Sequence, residues 1–522
     1  MNRTRRGGPT PRPTPRHTKG WAIAAGLVAA AVGVAAGELL AAILSPSLSP
    51  VSAVGSAVID AVPGPVKDAA IALFGTADKA ALLTGMALII ALAAVAAGWL
   101  ELRRPPAGSL ILGAFGAAGL VAVLSRPQGG LLAVLPPVAA GVVAVLILRA
   151  LAARVRQLAD ARTPDAVGAG RRAVLAAVGG GAAVALLGTA LSAVARGGQA
   201  GVLALRDAVR LPVPARAAAT VPAGAELPVQ GLPPLVTPAS DFYRIDTALS
   251  VPVIDPDKWR LRVTGMVDRE VELTFADLLA KPLQESYVTL ACVSNEVGGN
   301  LIGNARWLGW PVRELLAQAG IRPGADMVLS TSRDGWSAST PLEALTDNRD
   351  ALLAVGMNGN PLPLEHGFPV RLVVPGLYGY VSATKWVTEL RVTRFADETA
   401  YWTERGWGER GPVKLSSRID VPGRNPVSAG TVTVAGVAWA QHTGISAVQV
   451  RVDDGEWQDA QLAPGISADT WRQYSLPVEL TPGGHDLSVR AVDANGTRQA
   501  EEKRPVLPDG ATGLHTIRVT AR

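Results

Sequence analysis

The sequence predicts a multidomain protein: an α-helical membrane anchor of five spans, a mixed α+β domain and a C-terminal immunoglobulin-like β-sandwich. Three observations predict it. Long apolar runs fill the first two hundred residues of a 522-residue chain that is 49% hydrophobic, too apolar for a wholly soluble protein. A proline-rich stretch follows. After Asp241, aromatic and turn residues separate short segments, first of mixed and then of purely strand-like character. The expected division is a basic tail at 1–20, the anchor at 21–200, a linker at 201–240, the α+β domain at 241–400 and the sandwich at 401–522.

The expected spans are Trp21–Leu44, Ala81–Leu100, Ser109–Leu124, Leu131–Leu148 and Ala173–Ala195. Lipid offers no partners to backbone polar groups, so these runs must be helical. Basic residues alternate with them. Arg3, Arg5, Arg6, Arg12, Arg16 and Lys19 precede the first run, Arg103 and Arg104 follow the second, and Arg149, Arg154, Arg156, Arg162, Arg171 and Arg172 follow the fourth. The opposite loops hold only Lys67, Lys79 and Arg126. The positive-inside rule puts the N-terminus in the cytoplasm, and five spans put everything after Ala195 outside the cell membrane. The net charge of +6 thus serves topology. No basic stripe interleaves with aromatics, which argues against a nucleic-acid partner.

Two details refine the anchor. The spans contain no histidine, so no axial ligands for a membrane haem are expected, and Glu38 is expected near the lipid–water interface. Arg171-Arg172 before an Ala/Gly-rich run looks like a twin-arginine export signal, which suits a domain that folds around a cofactor before export. Prolines 212, 214, 222, 228, 233, 234 and 238 read as a stiff, extended linker.

Strands are expected at Trp259–Thr264, Tyr287–Cys292 and Val370–Val374, and helices at Thr274–Ala280 and Val312–Ala319. From Ser428 onward short strands at Thr431–Trp439, Ala447–Asp453, Trp471–Leu476, Asp486–Val492 and His515–Val519, with turn signals at Asp454-Gly455 and Asn495-Gly496, suggest the sandwich.

Chemistry gathers around three polar clusters. The chain has one cysteine, so an intramolecular disulfide is excluded; Cys292 ends a strand and opens a loop rich in Gly and Asn, where backbone can approach a ligand. A small buried apolar side chain is the plainer reading. The second cluster runs from His366 through Arg371 to Lys385, with cations suited to a phosphate. The third is Phe242-Tyr243-Arg244-Ile245-Asp246. Together they describe a pocket for an anionic cofactor.

Cys292-Val293-Ser294-Asn295 through Ala305-Arg306-Trp307, the His366–Arg371 run and Lys385-Trp386 resemble the sulfite oxidase family of molybdenum-cofactor enzymes, over a little more than half of the chain. The resemblance implies a mixed α+β cofactor domain followed by an immunoglobulin-like domain through which the chain forms a homodimer. It implies a molybdenum–molybdopterin cofactor with Cys292 as the protein thiolate ligand, a soft donor for a soft metal. It implies that His366, Arg371, Ala383, Thr384, Lys385, Phe242, Tyr243, Arg244, Asp246 and Asp334 contact that cofactor. It also implies two-electron oxygen-atom transfer on a small-molecule substrate.

The sequence departs from the sulfite oxidases proper on the substrate side. Trp336 stands where they carry an active-site tyrosine, and Glu296 and Val297 stand where they carry basic residues, which puts sulfite in doubt. No cytochrome-b5-like domain or Cys-x-x-Cys-His haem site is present in the sequence, so the electron partner is expected to be a separate protein and no haem is expected. Two other readings stand beside the enzyme: a non-catalytic binding or scaffold module that kept the fold, and a cysteine-nucleophile hydrolase, which needs a base near Cys292.

Overall fold

A computed structural model describes residues 16–44, 49–62, 73, 78–125, 131–161, 163–196, 198–248, 251–423 and 425–522. Arg3, Arg5, Arg6, Arg12, Lys67, Arg126 and Arg162 lie outside the described residues. Two compact units emerge: residues 1–200 with 248–250, and residues 201–247 with 251–522.

The first unit is helical: α1 (Arg16–Leu44), α2 (Pro50–Ala61), α3 (Asp78–Arg103), α4 (Ala107–Leu124), α5 (Leu135–Asp160) and α6 (Pro164–Arg196). Five helical segments, Lys19–Leu44, Ala80–Arg103, Ala107–Leu124, Leu132–Asp160 and Pro164–Ala193, are long and apolar enough to cross a membrane. The third, expected as a short run, reaches 18 residues, enough for the hydrocarbon core. Small residues let these helices touch. A Cβ on Gly26 of α1 would lie 2.0 Å from the Ala94 carbonyl oxygen of α3, and one on Gly98 would lie 2.0 Å from the Ala22 oxygen. The two backbones meet where only glycine fits.

Two expectations for this unit change. Arg149, Arg154 and Arg156 were expected in a loop but belong to α5, and Arg171 and Arg172 belong to α6. Good helix formers carry the helices past their apolar runs. Arg156 donates to the Glu101 carbonyl at 2.6 Å, and the Glu101 carboxylate accepts from the Ser109 N–H at 2.8 Å. Glu38 is a cap: it accepts from the Ser49 hydroxyl at 2.8 Å and from the Val51 N–H at 3.2 Å, meeting the free donors that open α2.

In the second unit, α7 (Gly198–Ala208) precedes the proline-rich stretch. That stretch was expected to be a spacer, yet it lies against the folded unit. The Ala215 N–H donates to the Leu283 carbonyl, Gln473 donates to the Pro233 carbonyl at 2.8 Å, and Leu235 is buried. Apolar residues between the prolines gain more from burial than an exposed spacer would.

Two sheets follow. One has the order β2-β1-β10-β5-β6, with β1 (Arg260–Gly265), β2 (Val271–Thr274), β5 (Met327–Ser332), β6 (Ser337–Pro341) and β10 (Val387–Thr393). The other runs β3 (Gln284–Ala291), β4 (Ile302–Pro311), β7 (Leu352–Met357) and β8 (Asn360–Pro361), with β9 (Arg371–Val373) paired to β7. Thr274 and Asp277 form a reciprocal capping box on α8 (Phe275–Leu279), which stops β2 and starts the helix. Helix α9 covers Val312–Ala319. This unit's core gathers Val288, Leu290, Ala305, Trp307, Phe242 and Phe368.

The C-terminal part has two four-stranded antiparallel sheets. They are β11 (Ser416–Val421), β12 (Gly430–Trp439), β16 (Arg472–Leu480) and β15 (Gln461–Leu462) in one, and β14 (Gln458–Asp459), β13 (Ile445–Val452), β17 (Gly483–Asp493) and β18 (His515–Ala521) in the other. Val434 and Tyr474 from the first share one core with Val448, Val489 and Val519 from the second. The Asp454-Gly455 signal does turn β13 into β14. Asn495-Gly496 only brings Arg498 back to Val492.

Candidate functional site

Strand β3 delivers Cys292 to the edge of a cavity. The Cys292 N–H still donates to the Leu301 carbonyl, and Asn295 closes the loop by accepting from the Leu301 N–H at 2.8 Å. The cavity encloses about 910 Å³ of atom-free space, part of it open to solvent. Cys292, Val293 and Ser294 line it, with Phe242, Tyr243 and Asp246, His366, Arg371, Ala383 and Lys385, and Asp334 and Trp336.

Two expected residues stand aside. Thr384 is fully buried, its hydroxyl 2.6 Å from that of Ser330, so it fastens the chain beside β5 and does not line the cavity. Arg244 turns outward and pairs with Asp246 at 2.9 Å. Trp402 and Trp407 line the cavity unexpectedly. The boundary placed at 401 cuts through this wall, because the C-terminal sheets begin only at Ser416. Their sole sequence signal was aromatic density in Tyr401-Trp402-Thr403-Glu404-Arg405-Gly406-Trp407.

The lining is charged in an unusual way. Arg371 is buried, and its guanidinium donates only to the backbone carbonyls of Leu372, His366 and Ala383. Among the described residues no carboxylate pairs with it. Burial brings its pKa down to about 10. Lys385 is also buried. It donates to Asp246 at 2.6 Å and to the Glu365 carbonyl at 3.1 Å; burial brings it down to about 8 although Asp246 opposes the shift.

His366 is neutral, pushed down to about 4 by burial and by the Arg371 charge. Its Nε2 lies 3.0 Å from the Ala239 carbonyl, an acceptor only, so this nitrogen carries the hydrogen. Gly367 has φ +109°, and a Cβ there would press on Arg371 and on the Lys385 backbone. Glycine therefore lets the His366 turn and the Lys385 segment close on each other. Trp386, next in the chain, has φ +52°, a conformation costly for a bulky residue, held by its buried indole donating to Leu364 at 2.9 Å.

Aromatic packing sets the third side. Phe242 stacks on Tyr243 at 5.3 Å and meets Trp307 and His366 edge-on at 5.8 and 5.7 Å. Burial raises the Tyr243 hydroxyl well above its usual range. The Cys292 thiol is raised too, by burial, although Ser294 and Val293 offer it hydrogen bonds.

Comparison with known proteins bears on the part of the chain that holds the cavity. Residues 248–402 match the oxidoreductase molybdopterin binding domain. The chain is 35% identical over 165 residues to the uncharacterized oxidoreductase YuiH of Bacillus subtilis, covering 80% of that protein and 32% of this chain. The chain belongs to the sulfite oxidase family of molybdopterin-dependent oxidoreductases. Mouse mitochondrial sulfite oxidase is 30% identical over 323 residues, 52% of this chain, and the chain spans 58% of that relative's length. The sulfane dehydrogenase SoxCD of Paracoccus pantotrophus shares 25% identity in a crystal structure that covers 55% of this chain and 81% of its own, with a TM-score of 0.49.

Membership in the sulfite oxidase family implies a molybdenum cofactor, and the cavity residues fit one. Ser332 lines the cavity, and its hydroxyl oxygen is buried and without a partner among the described residues; such an atom costs free energy unless a ligand meets it. Arg371 is a buried cation awaiting an anion. Cys292 is a soft donor whose proton a metal would displace. Among the described residues no group of three His, Cys, Asp or Glu side chains is placed to hold a metal by itself; the donor set is one thiol beside a polar cradle.

Proposed function

We propose that the chain is a membrane-anchored molybdenum-cofactor oxidoreductase whose soluble unit works outside the cytoplasmic membrane on a small-molecule substrate. The observation that carries this reading is the pairing, in one cavity, of the buried Cys292 thiol with the Arg371 guanidinium, which no carboxylate neutralises among the described residues. When bound, the cofactor supplies two-electron redox chemistry coupled to oxygen-atom transfer.

The chain's own residues bind and orient. Cys292 supplies the thiolate to the metal. Arg371 and Lys385 take the cofactor's phosphate, and the neutral His366 presents a hydrogen-bonding ring edge that adds no charge. Ser332 meets a polar group of the pterin. Phe242 and Tyr243 would cover its ring and Asp334 would contact the same cofactor, while Trp336 closes the side turned to substrate. Arg244 contributes indirectly, by sharing Asp246 with Lys385.

The five apolar helices and the arginine distribution support an N-terminus in the cytoplasm and a soluble unit outside. Arg171-Arg172, just ahead of the apolar run Ala173–Ala195, supports twin-arginine export of a domain already folded around its cofactor. The two C-terminal sheets, with one shared core, form an immunoglobulin-like sandwich that pairs with a second copy. Electrons pass to a separate carrier protein.

The hydrolase reading fares worse. Its nucleophile would be a thiol that burial keeps protonated, and His366, held neutral, spends its Nε2 hydrogen on Ala239. The purified full chain in detergent should contain about one molybdenum per chain, and Cys292→Ser should abolish oxidoreductase activity. Active protein free of molybdenum would sink the proposal, and a stable chain with an empty cavity would favour a scaffold.

A further inference from the structure

Two of the cavity's walls are unlike. Its cationic lining residues, Arg371 and Lys385, both lie on the chain between His366 and Trp386. The other wall comes from three segments: the Cys292 loop, the Asp334–Trp336 turn and the stretch from Trp402 to Trp407. No side chain they contribute to the lining carries a positive charge, and Asp334 brings a carboxylate. The Trp407 ring lies 5.9 Å from that of Tyr380 and 6.3 Å from that of Trp402, so the aromatic surface is continuous. The Tyr380 hydroxyl donates to the Gly408 carbonyl at 2.5 Å. Its polar tip is thereby spent on the protein, and its ring remains for the cavity.

A small inorganic oxyanion needs charge-assisted donors around it, and a carboxylate facing it is repulsive. Indole and phenol rings offer apolar contact area and a negative face. We infer that the substrate taken beside Cys292 is an uncharged organic molecule bearing an apolar group, selected over small oxyanions by Trp336, Trp402, Trp407 and Tyr380. This rests on the cofactor reading above, in which the cofactor's phosphate engages Arg371 and Lys385 and leaves no further cation among the described lining residues for substrate.

The test compares two inert probes that share a tetrahedral sulfur. Methyl phenyl sulfone carries two oxygens and no charge; sulfate carries four oxygens and two negative charges. Full-length protein in detergent is first assayed for molybdenum, and its absence overturns the cofactor reading itself. Molybdenum-loaded protein is then titrated with each probe while its tryptophan fluorescence is followed. The sulfone should saturate at a concentration at least about tenfold lower than sulfate. Trp407→Ala should weaken the sulfone about tenfold and leave sulfate unchanged, whereas Trp407→Phe should keep most of the affinity. Sulfate binding as tightly as the sulfone in loaded protein overturns the inference, as does a loaded Trp407→Ala variant that binds the sulfone like the parent. Should Trp407→Ala lose molybdenum, Trp402→Ala reads the same wall with the same two outcomes.

Discussion

Arg418 donates to the Gly299 carbonyl at 2.7 Å while its Nε holds the Asp420 carboxylate at 2.7 Å. Strand β11 of the C-terminal part thus clamps the loop that begins at Cys292. Nearby contacts support β3, which leads into that loop: Gln441 donates to the Thr289 carbonyl at 3.2 Å, and the Trp471 N–H donates to the Thr289 hydroxyl at 2.8 Å.

Arg418→Ala would leave Asp420 buried without its cation and free the Gly299 carbonyl. Breaking a buried pair from one side costs about 3–5 kcal/mol, so the denaturant midpoint should fall markedly and molybdenum content should fall with it. Arg418→Lys should recover only part of both, because an ammonium cannot serve two acceptors in the guanidinium's fork geometry. Urea melts and metal analysis of the three proteins check this.

The neutral His366 makes stability depend on acid. Its pKa is pushed down to about 4 in the folded chain from about 6.5 when unfolded. Protons therefore favour the unfolded chain below that higher value. Stability is full above pH 6.5 and is lost as pH falls toward 4, by at most about 3 kcal/mol. His366→Gln keeps a donor for Ala239 and cannot titrate, so its stability should fall less steeply over that window in parallel urea melts.

Arg371→Met removes the buried charge that faces the cavity. The chain should still fold, as read by circular dichroism, because the substitute is apolar and of similar length. Pterin released on acid extraction and bound molybdenum should each drop at least about tenfold, the loss of one charge-assisted anion contact. Retention of both at the parent's level would remove Arg371 from the cofactor's phosphate.

In the helical unit, Gly26→Ile forces a branched side chain into a contact where a Cβ alone would lie 2.0 Å from the Ala94 carbonyl oxygen. Helices α1 and α3 must part, at about 1–3 kcal/mol for overpacking. The melting temperature of the detergent-solubilised chain should fall, whereas isoleucine at Gly85, where a Cβ meets nothing within 4 Å, should leave it unchanged.

Much of the site could be read before any fold was known, because its chemistry sits in short contiguous stretches. Cys292 with its Gly/Asn loop, His366 to Arg371, and Lys385-Trp386 each declare themselves locally. Thr384 and Arg244 stand off the cavity lining for one reason: adjacent residues on an irregular segment point in different directions, and no periodicity says which faces inward. Trp402 and Trp407 were missed because an aromatic residue announces burial but not what it lines.

The apolar runs, the capping box at Thr274 and the strand periods are written in the sequence itself, since each depends on residues within a few positions of one another. So is the cofactor chemistry, which needs a soft thiol and cations whatever surrounds them. Only the tertiary structure decided that Arg371 lacks a carboxylate among the described residues, that the proline-rich stretch lies along the folded unit, and that Arg418 holds the Cys292 loop. Those facts join residues more than a hundred positions apart, or depend on which groups stay away, and both are properties of packing in three dimensions.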